Sequence, residues 1–244
     1  MLRRTRVRVK KIIAAVGLLS AELLTVIIFF LVSLVTFTYL IKKVIINRDE
    51  VFDFRVFDWV SHHVTPLNTS VMQAITFLGT HTFLIPANIL LTAYFLFVRK
   101  HRWYSIKIAA IALSSTAMMF LLKHLFSRQR PLIPLLKPAL GYSFPSGHSM
   151  MSFAFYGLLI YLVHKYVRNK LLRAIITILL IALIVMIGFS RIYLRVHYAS
   201  DVLAGFSVGI VWLVLSIWLL NRMERYSKRT LEPVVEEAVV VEQR

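Results

Sequence analysis

The sequence predicts an all-α membrane protein in which six transmembrane helices form one bundle. Hydrophobic residues make up 59% of the 244 residues, and they are gathered into runs of about 19 residues or more, enough for an α-helix to cross a bilayer. Short clusters of Lys and Arg separate these runs, and the chain has a formal net charge of +18 and no cysteine. This composition argues against a soluble globule, excludes disulfides and Cys-ligated zinc, and assigns the basic residues to topology and lipid headgroups instead of nucleic acid.

The first span is expected to follow a basic cytoplasmic or interfacial segment, residues 1–22. The apolar run from Ile12 to Ile41 would be about 45 Å long as a helix, which exceeds a bilayer core, whereas Leu23 to Ile41 gives about 28 Å and suffices. Glu22 then marks either the edge of the core or a buried functional carboxylate. The run is too long for a signal peptide and has no small-residue cleavage pattern, so we expect a retained helix.

The remaining apolar runs predict five further spans, which complete a membrane domain over residues 23–221. Between the first and second spans the mixed composition indicates an interfacial helix and loop, in which His62 and His63 are surface histidines and not half of a metal site. The prolines between Arg128 and Pro145 exclude a continuous helix there. The five spans are expected at residues 77–98, where Pro86 could introduce a kink, 108–122, 146–166, 172–189 and 202–220. Residues 222–244 are expected to form a cytoplasmic tail whose acidic end is loosely ordered.

The distribution of basic residues predicts the orientation. Six spans place the N-terminal segment, two connections and the start of the tail on one side with 18 Lys and Arg residues, against ten on the other. Because cytoplasmic loops carry the excess of Lys and Arg, both termini are predicted to be cytoplasmic. The loops after the third and fifth spans then face outward.

The stretch from Ser190 to Asp201 collects charged and polar residues between two apolar runs. If a helix begins near Val196, His197 and Asp201 lie four residues apart on one face, so that the carboxylate can hold one ring nitrogen and leave the other free to attack. Arg191 offers a planar fork of donors for phosphate or carboxylate. The alternative is that these are ordinary interfacial charges at the end of a span.

Two further segments reach the same outer face and complete an anion site. Lys123 and Arg130 could surround a phosphoryl group together with Arg191. Ser146 is placed to cap the fourth span, whose first N–H groups, those of Gly147 and His148, would point at an anion under a favourable helix dipole. His148 could then protonate the leaving oxygen while His197 attacks phosphorus.

These residues resemble the three-part signature of the type 2 phosphatidic acid phosphatase (PAP2) superfamily, which also includes vanadium haloperoxidases and bacterial class A acid phosphatases. The matching parts are Lys123-x6-Arg130-Pro131, then Pro145-Ser146-Gly147-His148, then Ser190-Arg191-x5-His197-x3-Asp201. The resemblance implies that His197 is the nucleophile that forms a phosphohistidine, Asp201 its orienter, and His148 the acid and later the base. It implies phosphate ligation by the remaining signature residues, Lys123, Arg130, Ser146, Gly147 and Arg191, with no metal and no cofactor.

The resemblance implies a metal-independent phosphatase acting on a membrane lipid phosphate or pyrophosphate, in a bacterial plasma membrane with the active site facing outward. A polyprenyl pyrophosphate, phosphatidylglycerophosphate, phosphatidate or lipid A phosphate would each fit. Two alternatives remain: a phosphotransferase that passes phosphate to a lipid hydroxyl, and a non-enzymatic protein with a degraded anion site, against which the intact histidines argue. The sequence leaves open the lipid, the oligomeric state and the roles of Arg128 and Arg195. These two arginines could bind a second phosphate or headgroup, or be solvated or lipid-facing charges.

Overall fold

The computed structural model describes residues 23–135 and 140–231, and within these ranges the chain is helical and contains no strand. The helices are α1 (Leu23–Ile46), α2 (Val51–Ser61), α3 (Pro66–Phe77), α4 (His81–Ala93, continued by a wide turn over Tyr94–Val98), α5 (Arg102–Phe126), α6 (Gly147–Tyr166), α7 (Lys170–Tyr193) and α8 (Ala199–Tyr226, continued by a wide turn over Ser227–Leu231). The basic segment 1–22 with Glu22, and residues 232–244 of the tail, lie outside the described residues.

Five helical stretches in the described ranges are long and apolar enough to cross a membrane. They are Leu23–Ile46, Pro66–Val98, Arg102–Phe126, Lys170–Tyr193 and Ala199–Thr230. Large apolar side chains on these helices remain exposed, among them Phe29 and Val35 of α1 and Leu179 of α7. A helix that is apolar and unburied needs lipid to cover it. The protein is therefore an integral membrane protein.

Helix α6 coincides with the predicted fourth span but is not among these five stretches. It lies inside the bundle, packed against α5, α7 and α8, and small or polar residues such as Ser149, Ser152 and Gly157 are buried on it. A helix surrounded by protein needs no strongly apolar surface, and its 20 residues would extend about 30 Å. The sixth span and the orientation of the termini stay predictions.

Two glycines allow α8 to lie close against α6. A Cβ at Gly205 would come within 2.6 Å of the carbonyl oxygen of Ser146, and one at Gly209 within 2.8 Å of Cβ of Phe153. The starts of the two helices are also joined directly, because the N–H of Ser146 donates to the carbonyl of Asp201 at 2.9 Å. The second and third signature segments are thereby held side by side.

The mixed segment before the second predicted span forms two helices, α2 and α3, where one interfacial helix and a loop were expected. Thr65 caps α3 and Pro66 occupies its first turn, a pairing that favours a helix start. Both ends of α3 are bonded to the last turn of α7: the N–H of Thr65 donates to the Tyr193 hydroxyl at 3.3 Å, and Arg191 donates to Thr76 at 2.7 Å. Helix α3 therefore lies across that end of the bundle.

Several predicted spans were shorter than the helices in the structure. Helix α1 continues beyond Ile41 to Ile46. Both α5 and α7 run four residues past the ends of the predicted spans, and they begin six and two residues before them, respectively. The chain turns between α3 and α4 at residues 78–80, and α4 continues through Pro86. Charged residues were taken as the ends of spans, but Lys123 and Arg191 lie within the last turns of α5 and α7.

Candidate active site

The eight predicted catalytic and phosphate-binding residues meet at one end of the bundle, where α5 and α7 end and α6 and α8 begin. The predicted catalytic residues are His148, His197 and Asp201, and the predicted phosphate ligands are Lys123, Arg130, Ser146, Gly147 and Arg191. The end of α5 keeps Lys123 in its final turn, because the helix stops only at Ser127, which adopts a left-handed conformation with φ of 46°. The sequence-based expectation that three separate segments share one face agrees with this arrangement.

His197 lies just before α8, in the turn between α7 and α8, and not within the helix as the spacing suggested. Its N–H, like that of Val196, donates to the carbonyl of Arg191, which folds the turn back on the end of α7. Asp201, in the first turn of α8, accepts from the N–H of Tyr198 at 2.9 Å and so fixes the start of the helix. Because of this turn, Nδ1 of His197 still comes within 3.5 Å of Oδ2 of Asp201.

A serine that the sequence analysis did not single out lies between His197 and Asp201. The hydroxyl of Ser143 is 2.5 Å from Oδ2 of Asp201 and 3.2 Å from Nδ1 of His197. On the other side of the imidazole, Nε2 is 3.2 Å from Nη1 of Arg130. The ring is thus held at both nitrogens, and Nε2 faces the cations.

Burial and the neighbouring cations favour the neutral form of His197. The imidazole is buried, and burial, followed by the charges of Arg130 and Lys123, holds the pKa of His197 well below its ordinary value of 6.5. A neutral ring presents a lone pair at one nitrogen. His197 is therefore in the protonation state that nucleophilic attack requires.

Lys123 and Arg130 donate to backbone carbonyls of the loop between α5 and α6. Nζ of Lys123 donates to the carbonyl of Tyr142 at 2.6 Å, and Nε of Arg130 donates to that of Gly141 at 2.8 Å. Nη1 of Arg130 also donates to the carbonyl of Val196 at 2.8 Å. None of these acceptors carries a full charge, so the oxygens of a phosphate could compete with them for the same donors.

Arg191 is buried at the end of α7 and faces the same region. Its Nη1 donates to the hydroxyl of Thr76 on α3, while its Nε has no hydrogen-bond partner among the described residues. A buried guanidinium with an unused donor is suited to an additional anionic acceptor. Thr76 thus joins the site through Arg191, although no motif pointed to it.

The start of α6 provides backbone donors and the second histidine. Ser146 caps the helix as predicted, and its fully buried hydroxyl accepts from Ser149. The first N–H groups of a helix, here those of Gly147 and His148, have no acceptor within the helix. A Cβ at Gly147 would lie 2.6 Å from Sδ of Met119 on α5, so a larger residue at this position would have to displace the Met119 side chain.

His148 lies in the first turn of α6, beside the turn that joins α3 to α4. A Cβ at Gly79 would meet Cδ2 of His148 at 3.3 Å, which shows how closely that turn approaches the ring. Its Nε2 is buried and has no hydrogen-bond partner in the described part of the chain. No salt bridge joins His148 to a carboxylate within that part, in contrast to the contact between His197 and Asp201.

Arg128, two residues before Arg130, holds a buried ionic cluster beside the site. Its guanidinium donates to Asp201 at 2.7 Å, to Asp53 at 2.8 Å and to Glu50 at 3.0 Å, and it lies 4.0 Å from the ring centre of Tyr198. Neither reading of Arg128 from the sequence, as a ligand for a second phosphate or as a solvated or lipid-facing charge, describes this environment. Arg128 is a structural cation that pairs with the carboxylate of Asp201.

Asp53 brings α2 into the same cluster. It is 1% exposed, and its carboxylate also accepts from the N–H of Ser200 at 2.8 Å and from the Ser200 hydroxyl at 2.6 Å. No motif indicated this role for Asp53, because the segment that forms α2 was expected to lie at the membrane surface. Helix α2 therefore supports the start of α8 through these bonds.

The remaining candidates lie away from the chemistry. The ring nitrogens of His62 and His63 bond to carbonyls within α2, and both residues are exposed, as expected for surface histidines. His124 is also exposed, and its ring bonds to the carbonyl of Phe120. Arg195 is half-buried and its Nε has no partner in the described ranges. Within these ranges no three His, Asp or Glu side chains form a group that could hold a metal ion.

Comparison with known proteins places these observations in one family. The family model of the PAP2 superfamily matches residues 103–225. The chain is 30% identical over 168 residues to phosphatidylglycerophosphatase B of Bacillus subtilis (strain 168), and the match covers 67% of this chain and 81% of that protein.

Two crystal structures share the fold. The transmembrane PAP2-type phosphatidylglycerolphosphate phosphatase of Bacillus subtilis has a TM-score of 0.73 and 27% identity, and the match covers 81% of this chain and 98% of that one. LpxE of Aquifex aeolicus has a TM-score of 0.54 and 26% identity, with 70% of this chain and 97% of that one covered.

Proposed function

The chain belongs to the PAP2 superfamily, and from this premise we propose that it is an integral-membrane phosphatase of lipid phosphates. The observation that carries the proposal is geometric: His197, bonded to Arg130 and supported by Asp201, lies with Lys123 and Arg191 beside the start of α6, at one end of a membrane bundle. A phosphate monoester or diphosphate would supply the negative charge that neutralises these cations. The apolar helices around the site give access to a substrate whose remaining part lies in the bilayer.

We propose that the reaction proceeds in two steps. Nε2 of His197 attacks phosphorus and the bond from phosphorus to the lipid oxygen breaks. His148, as the imidazolium that forms when the phosphate anion lies beside it, passes a proton to that oxygen and becomes neutral. Water then attacks the phosphohistidine and gives a proton to His148, and cleavage of the N–P bond releases orthophosphate. Lys123, Arg130 and Arg191, together with the first N–H groups of α6, would stabilise the charge on the equatorial oxygens.

Metal independence is part of the proposal. We propose that Lys123, Arg130 and Arg191 neutralise the phosphate charge. Lys123 lies on α5, Arg130 in the loop after α5, and Arg191 on α7. Asp201 is committed to Arg128, to Ser143 and to the start of α8. A carboxylate with these partners supports the nucleophile and is not free to ligate Mg²⁺.

We propose that the site faces the outside of a bacterial plasma membrane and that α6 is a sixth span. Both relatives with solved structures come from bacteria. The end of the bundle opposite the site carries Arg99, Lys100, Arg102 and, after α8, further basic residues. The excess of basic residues favours a cytoplasmic location for that end, and this supports the proposal that the site lies on the outer face.

The substrate is proposed to be a lipid with a terminal phosphate or diphosphate. The relative that is 30% identical is named for phosphatidylglycerophosphate, which makes this lipid the first to test, followed by polyprenyl pyrophosphates, phosphatidate and lipid A phosphates. A phosphotransferase would use the same phosphohistidine with a lipid hydroxyl as acceptor. No contact in the described ranges favours that alternative.

The test is release of orthophosphate from a panel of these lipids by the purified full chain in detergent, with His197→Gln as the inactive control. We expect release without any added acceptor, and a preference for one lipid class. Release that depends on a lipid alcohol would favour the phosphotransferase. No release from any lipid, by a protein that binds vanadate, would contradict the proposed function.

A further inference from the structure

The hydrogen bonds around Ser143 show which atoms of Ser143, Asp201 and His197 carry a proton. Oδ1 of Asp201 accepts from Arg128 and Oδ2 accepts from the N–H of Tyr198, so both carboxylate oxygens act as acceptors. The Ser143 hydroxyl, 2.5 Å from Oδ2, therefore donates its one proton to the carboxylate. The hydroxyl oxygen is then an acceptor for its other neighbour, Nδ1 of His197 at 3.2 Å. Nδ1 must therefore carry the ring proton.

The opposite side of the ring gives the same result independently. Nη1 of Arg130 lies 3.2 Å from Nε2 of His197. A guanidinium can only donate, so Nε2 must be the acceptor and carry the lone pair. Two separate contacts thus require the same tautomer, which leaves Nε2 able to attack phosphorus.

We propose that Ser143 is a positioning residue for the nucleophile, through which the carboxylate of Asp201 acts on His197. This inference rests on the proposed function. The direct approach of Nδ1 to Oδ2 is 3.5 Å, longer than the two contacts made by the hydroxyl. When Nε2 bonds to phosphorus the ring becomes cationic, and the bond from Nδ1 to the Ser143 oxygen then strengthens because its donor is charged.

The hydroxyl is separable from the structural role of the residue. The N–H of Ser143 donates to the carbonyl of Arg128 at 2.7 Å and fixes the loop just before α6. Ser143→Ala keeps that backbone bond and removes only the oxygen. Ser207→Ala is a matched control, because Ser207 is also a buried serine with one hydrogen bond, to the carbonyl of Leu203, and it lies further along α8 away from the site.

The first experiment measures the tautomer of His197 by NMR. The full chain is labelled with ¹⁵N-histidine and studied in detergent micelles, and His197→Gln assigns the signal. We expect the wild type to show His197 with the proton on Nδ1, and Ser143→Ala to show a mixture of tautomers. The same spectrum from Ser207→Ala should match the wild type. A proton on Nε2 in the wild type would overturn the proposal, whether or not Ser143→Ala folds.

The second experiment measures steady-state kinetics on whichever lipid releases phosphate. Ser143→Ala should lower kcat by about tenfold to a hundredfold, the effect of losing a hydrogen bond to a charged group, while KM changes by less than about threefold, because the bond strengthens only as charge develops on the ring. A kcat equal to that of Ser207→Ala would refute the proposal. A wild type with the expected tautomer but no phosphate release would count against the proposed function and not against the role of Ser143.

Discussion

Arg128 offers the sharpest test of how the site is supported. Its side chain is 7% exposed and pairs with Asp53, which is 1% exposed, and with Asp201, which is fully buried. Burial opposes its charge, but the carboxylates of Asp201, Asp53 and Glu50 raise the pKa of Arg128 above its ordinary value, so it stays charged. Arg128→Met would remove this charge and leave two buried carboxylates without their cation.

The expected loss follows from that burial. Removing one partner of a buried ion pair costs roughly 3–5 kcal/mol, because the other charge remains buried and unpaired. For a chain of this size the cost corresponds to a fall of about 6–20 °C in the unfolding temperature. The double variant Arg128→Met with Asp53→Asn should melt above Arg128→Met, since one of the unpaired charges is gone.

The assay is thermal unfolding of each full-length variant in the same detergent, with phosphate release measured alongside. Arg195→Met is the control, because Arg195 is in the neighbouring signature segment but has no salt bridge with any described residue. It should melt within about 2 °C of the wild type, as a substitution away from such pairs usually does. If Arg128→Met and Arg195→Met melt together, Arg128 does not hold the cluster.

Four further outcomes are expected. With ³²P-labelled substrate and alkaline quenching, His148→Ala should still form a labelled protein when the leaving group is good, whereas His197→Ala should not; stable label on the latter would reverse the roles of the two histidines. Because burial and nearby cations lower the pKa of His197, the acid limb of the pH profile of kcat/KM should lie below pH 6.5. Arg130→Gln removes one of these cations and should move the limb toward neutral pH. If the limb does not move, it reports the titration of a group other than His197. Activity should survive excess EDTA and be inhibited by vanadate, and rescue by Mg²⁺ after EDTA would refute the metal-free mechanism. A cysteine introduced at Lys137 should react with an impermeant maleimide in intact cells and one at Asn169 should not, and the reverse pattern would place the site in the cytoplasm.

Local signals in the sequence were sufficient for the long helices, whereas the meeting of the signature residues was predicted from the order of the spans along the chain. The apolar runs predicted the helices, and Ser146 predicted the start of α6, because a serine cap and a following glycine act within one turn. The helix ends were less accurate. Lys123 and Arg191 belong to helical turns beyond the apolar runs, since a charged side chain that faces a polar site need not end a helix.

Asp53 could not have been found in the same way. Its partner Arg128 is 75 positions away in the chain and Ser200 is 147 away, and no spacing rule relates residues so far apart. The segment around it is mixed in composition, which is typical of a surface helix. Thr65 and Pro66 did carry a local signal, a cap followed by proline, that predicts the start of α3.

The hydrogen-bond partners of the arginines show which of them are structural and which could bind substrate. Their positions in the sequence do not make this distinction. Arg128 and Arg130 are two residues apart in one segment, yet Arg128 is paired with three carboxylates, whereas in the described ranges neither Arg130 nor Arg191 forms a salt bridge. Burying cations near one another without counter-ions is unfavourable. That unfavourable arrangement becomes favourable when a phosphate group enters, so the same charges that cost stability in the free protein would bind the substrate and stabilise the transition state.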